Sequence, residues 1–217
     1  EINQPLSDIA TYADAGQRLV GSPEPDLQKL AYALRNIAQQ ARRAGDVVQR
    51  MRDMARDGES LRTNVSINDV LRDLLVLVEL EARDSEAPIR LELAEGIGPV
   101  RVDQVQIQQV IINLVRNGLE AMVKRSQAER GVVIRTEDRG GEVAVSVNDH
   151  GEGVPEDRVD AIFLPFETSK PNGMGIGLSI CSTIVQRHGG KLVYEPNPEG
   201  GSRFVFTLPY AEEDSGE

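Results

Sequence analysis

The sequence holds one cysteine, Cys181, among 217 residues, which excludes an internal disulfide and leads us to expect a reducing, cytoplasmic setting. It has no Cys/His spacing of the kind that holds zinc. No apolar run approaches the roughly 20 residues that a membrane-spanning helix needs, and the amino terminus lacks a signal-peptide pattern. No membrane contact is therefore expected of this chain. Basic side chains are in deficit: 24 Lys and Arg face 35 Asp and Glu, a net charge of −11. Residues 1–60 hold nine acidic and eight basic side chains, so an excess of −10 lies on residues 61–217. Such a surface disfavours nucleic acid, whose binding rests on phosphate neutralisation by Lys and Arg. An anionic ligand would need positive charge supplied locally, most simply by a metal ion. Internal repeats and low-complexity tracts are also missing, and only residues 211–217 are expected to form a disordered tail.

What is present falls into two periodicities. Over residues 1–60, Ile2, Leu6, Ile9, Ala13, Gly16 and Val20 recur in steps of four and three. A second stripe follows in Leu27, Leu30, Leu34, Ile37, Ala41, Ala44, Val48, Met51 and Ala55. It is a heptad-like seam, about 45 Å of helix. Between them Gly21-Ser22-Pro23-Glu24-Pro25-Asp26 is a turn that no helix crosses. Two helices cannot enclose a core alone. Either the hairpin packs on its own C-terminal domain, or two hairpins pair into a four-helix bundle and the protein is a homodimer through residues 1–60. The length of the second arm favours the dimer.

Residues 57–65 are a polar connection, with a linker expected over 61–65. Beyond it Ser66-Ile-Asn-Asp69 resembles a capping box before a helix over Val70–Leu80. Alternation predicts a strand through Ile89, Leu91 and Leu93, and Asp103 and Gln106 can cap a second helix running to about Ser126. Strands are predicted at Val132–Thr136, Val143–Asp149, Lys191–Glu195 and Arg203–Leu208, with a helix from about Ile176 to Arg187 stopped by Gly189 and Gly190. The fold class is α+β: an antiparallel helical hairpin followed, over residues 66–210, by an α/β sandwich with helices on one face of a mixed sheet.

Asn113 and Asn117 stand one turn apart on the second helix, with their amides on one face. An amide oxygen is a hard ligand, suited to a Mg²⁺ ion that bridges phosphates. Alone the pair reads sooner as exposed or capping asparagines, and the glycine loops downstream reverse that toward a ligand. Asp149 ends an alternation with Val143, Val145 and Val147, so its carboxylate shares their apolar face, where an unpaired charge is costly. There it can accept a hydrogen bond from an adenine amino group. Gly151 and Gly153 allow close backbone approach beneath such a base. Gly173, Gly175 and Gly177 lead into a helix whose amino end, with Leu178, can face phosphates. The intervening loop carries Phe163, Pro165, Phe166, Thr168, Ser169 and Lys170 and reads as a mobile lid. Lys170 and Arg116 are the cations available to phosphate. Together these residues indicate an ATP site with Mg²⁺.

The order of motifs resembles the catalytic core of a bacterial sensor histidine kinase: Asn113-Leu-Val-Arg-Asn117, Asp149-His-Gly151-Glu-Gly153, Phe163-Leu-Pro-Phe166, Gly173-Met-Gly175-Ile-Gly177-Leu178 and Gly200-Gly-Ser-Arg-Phe204. Glu1-Ile-Asn-Gln4-Pro5-Leu6 resembles the segment after the phosphoacceptor histidine in the oxygen-sensor and dicarboxylate-sensor branch. The resemblance implies a dimerisation and phosphotransfer hairpin followed by an ATP-binding domain of the gyrase, Hsp90, kinase and MutL type. It implies Asn117 as the Mg²⁺ ligand, and Asn113 where the ATPases of that superfamily carry a water-activating glutamate. Glu1 would take the proton from the attacking histidine, and Gln4 would position water when a response regulator is dephosphorylated. The acceptor itself is missing: the sequence holds only His150 and His188, neither on the hairpin. The acceptor is expected immediately before Glu1, so the chain is expected to bind ATP without phosphorylating itself. Milder departures are Val154 for the usual isoleucine and Glu167 for a more frequent aromatic or apolar residue. The competing readings are a non-catalytic dimeric nucleotide-sensing module that docks on a partner, and an ATPase of the gyrase or MutL kind.

Overall fold

The structure, a computed structural model, describes residues 3–21, 26–55, 62–82, 87–123, 125–126, 131–168 and 175–212. The chain divides into two units, residues 1–60 and 61–217.

The first unit is the hairpin of α1 (Asn3–Val20) and α2 (Leu27–Ala55). Asp26 caps α2, its Oδ1 accepting the backbone N–H groups of Gln28 and Lys29 at 3.1 and 3.0 Å. The two helices meet through small residues. Gly16 lies against Leu30, Ala33 and Ala44 are buried, and Tyr12 meets Tyr32 edge to face at 6.2 Å. Ala33 was not part of the predicted seam, whereas Leu34 was. Leu34 is 58% exposed, as are Leu6 at 50%, Val20 at 61% and Leu27 at 71%. The hairpin thus uses only part of its apolar surface internally.

In the second unit, β1 (Thr63–Val65) pairs antiparallel with β3 (Val100–Val102). This corrects the expectation of a linker over 61–65, since its last three residues are a strand. Each partner has only three residues, too few for alternation to reveal, and pairing supplies what local pattern does not. Arg62 also belongs to this unit, donating to the Arg187 carbonyl at the end of α5 (Gly177–Arg187) at 2.6 Å. Helix α3 (Ile67–Ala82) starts where Ser66 Oγ accepts the Asp69 N–H, the expected cap. Helix α4 (Gln104–Ala121) is capped by Asp103, whose Oδ1 accepts from Val105 and Gln106. It ends at Ala121, several residues before the predicted Ser126. Met122 leaves the helix to be fully buried, and its Sδ accepts the Gly131 N–H.

The main sheet runs in the order β2 (Ile89–Glu92), β4 (Val132–Asp138), β5 (Glu142–Asp149), β7 (Ser202–Pro209), β6 (Leu192–Pro196). Strands β2 and β4 are parallel and the other pairs antiparallel, so the sheet is mixed, as expected. One core joins it to all three helices: Leu71 and Leu74 of α3, Ile107, Ile111 and Leu114 of α4, Ile184 and Val185 of α5, with Ile134, Val145, Val147 and Phe206 of the sheet. Burying each such aliphatic side chain contributes about 1.5–3 kcal/mol, so the three helices are held chiefly by this face. Cys181 lies in the same core, where burial pushes its thiol up to about 12 and leaves it unreactive. His188 is buried as well. Its Nε2 accepts the Asp103 N–H at 3.1 Å while Nδ1 donates to the Ile184 carbonyl, which fixes a neutral ring between the ends of two helices. Burial accordingly lowers its pKa. Folded structure runs just past residue 210, since the Ala211 N–H donates to the Pro99 carbonyl. Among the described residues no helix is long and apolar enough to cross a membrane.

Candidate functional site

Asp149 closes β5, and alternation turns its side chain to the side of Val143, Val145 and Val147, where it is 3% exposed. Its Oδ1 accepts the Gly151 N–H at 2.8 Å and the Ser202 N–H at 3.1 Å. Burial pushes the carboxyl above its ordinary value, and these amide bonds to the charged form offset only part of that. The fold therefore keeps an acceptor at a position that costs stability, a mark of a functional group. Alternation in the sequence placed it correctly.

Helix α4 runs directly beside it. At Gly118 an added Cβ would stand 3.0 Å from the Asp149 Cβ, so the missing side chain lets the helix approach the strand end. Asn113 and Asn117 are half-buried on this helix, with Asn113 beside Cys181 of α5. An added Cβ at Gly151 would lie 2.6 Å from the Ala121 Cβ. The loop after β5 and the helix bearing both asparagines are thus one packed piece. Arg125, just beyond α4, donates to the Gly151 carbonyl at 2.9 Å.

The glycines divide by what demands them. Gly175 has φ +65°, and an added Cβ would meet the Glu167 carbonyl oxygen at 2.5 Å. Its carbonyl accepts the Phe166 N–H at 2.9 Å, and Phe166 itself sits at φ 70°. Phe166 and Glu167 thus pack directly on Gly175, so Gly175 serves the chain's own packing. At Gly177 an added Cβ would meet none of the described residues within 4 Å, so they make no demand for glycine there. The N-cap residue of α5, Ile176, makes no side-chain cap bond, and Gly177 and half-buried Leu178 stand at that end. Glu167, which departs from the expected apolar type, is exposed and lies 3.4 Å from Arg158.

Lys170 and Gly173, like Glu1, lie outside the described residues, and Gln4 falls within α1 with a side chain outside them. Asp149, Gly151 and Gly153 stand on the loop that packs on α4, the helix carrying Asn113 and Asn117, while Gly175, Gly177 and Leu178 lead into α5, on which Cys181 meets Asn113. Residues missed by local pattern also converge. Asn197 Nδ2 donates to the Asp149 carbonyl at 2.8 Å, and Tyr194 Oη accepts the Val154 N–H at 3.1 Å. Gly201, at φ +97°, would place a Cβ 2.3 Å from the Asp149 carbonyl oxygen. The Gly-Gly-Ser run at 200–202 was the only local signal of this.

No group of three or more His, Cys, Asp or Glu among the described residues could hold a metal ion. The donor set on α4 is instead one of amide oxygens. That set fits Mg²⁺ taking most of its ligands from phosphate and water and one from Asn117, the type of coordination this ion favours.

Residues 102–212 match the family described as histidine kinase-, DNA gyrase B-, and HSP90-like ATPase. The chain is 40% identical over 215 residues to sensor protein FixL of Bradyrhizobium diazoefficiens, covering 99% of this chain and 42% of that protein. It is 36% identical over 213 residues to the C4-dicarboxylate transport sensor protein DctS of Rhodobacter capsulatus, covering 98% of this chain and 32% of that protein. The chain therefore spans less than half the length of these curated relatives. Among solved structures, histidine kinase ThkA in complex with response regulator protein TrrA matches with a TM-score of 0.74 and 28% identity, over 99% of this chain and 60% of that one.

Proposed function

This chain belongs to the histidine kinase-, DNA gyrase B-, and HSP90-like ATPase family as the catalytic core of a sensor histidine kinase; on that footing we propose that it binds Mg-ATP and supplies the γ-phosphate to a histidine expected immediately before Glu1, and thence to a response-regulator aspartate. The observation that carries this reading is Asp149, a buried acceptor held by two backbone amides beside α4, the helix that bears both asparagines. Its carboxylate accepts from the adenine amino group. Asn117 holds Mg²⁺, which neutralises phosphate charge when bound. The start of α5, with Gly177 and Leu178, faces the phosphates, and Gly173 and Lys170 complete that side. Asn113 occupies the position of a water-activating base yet carries an amide that cannot take a proton, which favours transfer to protein over hydrolysis. Glu1 accepts the proton of the attacking histidine. Gln4 positions water in a second activity, dephosphorylation of the response regulator.

The exposed Leu6, Val20, Leu27 and Leu34 support a homodimer in which a second hairpin covers them. The response-regulator partner is supported by the likeness to ThkA, which was solved with TrrA. A cytoplasmic location is proposed on the same footing.

The test restores a histidine before Glu1 and incubates the protein with γ-labelled ATP. We expect base-stable, acid-labile phosphohistidine on the extended chain and none on the present one. A nucleotide-sensing docking module would label neither. Multi-turnover phosphate release with no phosphoprotein would point to an ATPase and overturn the kinase reading.

A further inference from the structure

Asp149 is the last residue of its strand, and the ladder no longer serves its carbonyl. The residue opposite it on β4 is Val132, and the Val132 N–H donates to the Pro88 carbonyl instead. A buried carbonyl left in that state is costly. Asn197, 9% exposed in the turn after β6, fills the gap through Nδ2 at 2.8 Å. The assignment of its amide follows from chemistry: the carbonyl can only accept, while Asn197 Oδ1 accepts the Glu199 N–H at 3.2 Å. Strand β6 makes a second attachment. The Val154 N–H, at the far end of the same loop, donates to Tyr194 Oη, and the Tyr194 ring is fixed edge to face on buried Phe204 at 5.6 Å. Glu199 of this turn also lies 3.6 Å from His150 Nε2. The loop 149–154 is therefore tied at both ends to β6 and its turn, an element outside the motifs that mark the site.

We propose that Asn197 and Tyr194 are positioning residues that hold the Asp149 loop in register with the base and so set the preference for adenine over guanine. The inference rests on reading Asp149 as the adenine acceptor. Adenine offers an exocyclic amino donor where guanine offers a carbonyl acceptor. A carboxylate fixed in place gains a hydrogen bond from the first and is repelled by the second. Freed to move, it loses the bond to adenine and is no longer held against the guanine carbonyl, so discrimination shrinks, chiefly from the ATP side.

The test measures Kd for non-hydrolysable ATP and GTP analogues, with Mg²⁺, by calorimetry on the full chain. Asn197→Ala removes the donor. Asn197→Asp keeps the acceptor toward Glu199 but replaces the donor with a charged oxygen that the Asp149 carbonyl repels. Tyr194→Phe loses only the hydroxyl and retains the ring contact with Phe204. We expect both Asn197 variants to bind the ATP analogue about tenfold more weakly and Tyr194→Phe about threefold. The GTP analogue should change less than about twofold, so the selectivity ratio falls in all three. Equal weakening toward both analogues would mark a general loosening of the domain and overturn the proposal. So would wild-type ATP affinity in Asn197→Asp and Tyr194→Phe, which carry the test even if Asn197→Ala fails to fold. Absence of adenine-nucleotide binding by the wild-type chain would overturn the reading of Asp149 and this inference with it. Wild-type binding with unaltered variants would overturn the inference alone.

Discussion

Asp149→Asn is expected to bind adenine nucleotides about 10–100-fold more weakly than wild type, while the ligand-free protein keeps or gains thermal stability. The two effects part because the carboxylate is maintained against its surroundings. It is buried on an apolar sheet face, and burial raises its pKa despite two amide donors. An asparagine preserves the shape and still offers one oxygen to Gly151 and Ser202. It removes the desolvation cost of the charge, and with it the strong charged acceptor for a base amino group. The sign with pH follows from the raised folded value. Above that value the native state carries the full cost of the charge, and as pH falls toward the ordinary carboxylate range the native carboxyl takes up its proton before the unfolded one does. The stability advantage of Asp149→Asn should therefore be largest near neutral pH and shrink as pH falls. Thermal unfolding over a pH series, paired with titration of an ATP analogue, checks both halves. A variant that is clearly less stable than wild type at neutral pH, or one that binds ATP equally well, would show that Asp149 is a structural residue.

Gly201→Ala is expected to cost about 2–4 kcal/mol of stability, lower Tm by roughly 5–10 °C and weaken nucleotide binding at least about 100-fold. Two costs coincide at this position. The backbone has φ +97°, and the new Cβ would fall 2.3 Å from the Asp149 carbonyl oxygen and 2.7 Å from the Gly151 nitrogen. Both neighbours are backbone atoms of the loop 149–154, so relief requires displacing the proposed adenine acceptor. The adjacent glycine provides the control. Gly200 has a similar φ of +93°, yet an added Cβ there would meet nothing within 4 Å. Gly200→Ala should cost only the conformational part, about 1 kcal/mol, and leave nucleotide affinity nearly unchanged. Equal effects of the two substitutions on binding would mean that contact with Asp149 is irrelevant.

Gly201 also illustrates what could be read from sequence and what could not. Helix α4 was legible because Ile107, Val110, Ile111 and Leu114 repeat on one face behind the Asp103 cap, and Asp149 because a period of two carries it to the side of three valines. Those are local patterns, and they yielded the helices, the main strands and the placement of Asp149 on the apolar face. The partners of Asp149 are not local. Asn197 is 48 residues away and Ser202 is 53 away, and they meet it only because β7 pairs with β5 and β6 with β7. Likewise Thr63–Val65 and Val100–Val102 are too short to show alternation and become strands by pairing with each other. The glycines were legible as glycines but not by cause. Gly151 and Gly175 are required by Ala121 and Glu167 of the chain itself, whereas Gly177 would meet none of the described residues. Motif spacing treats the three alike, and only the packing separates them.

The central claim is that Asn117 and Asp149 together define a magnesium-dependent adenine-nucleotide site. Calorimetric titration of the wild-type chain and Asn117→Ala with an ATP analogue, at millimolar Mg²⁺ and with the metal chelated, tests it most directly. The expected result is saturable one-site binding by wild type that weakens on chelation, and binding by Asn117→Ala that is weak and insensitive to the metal. A wild-type chain with no affinity for the analogue at millimolar Mg²⁺ would contradict it.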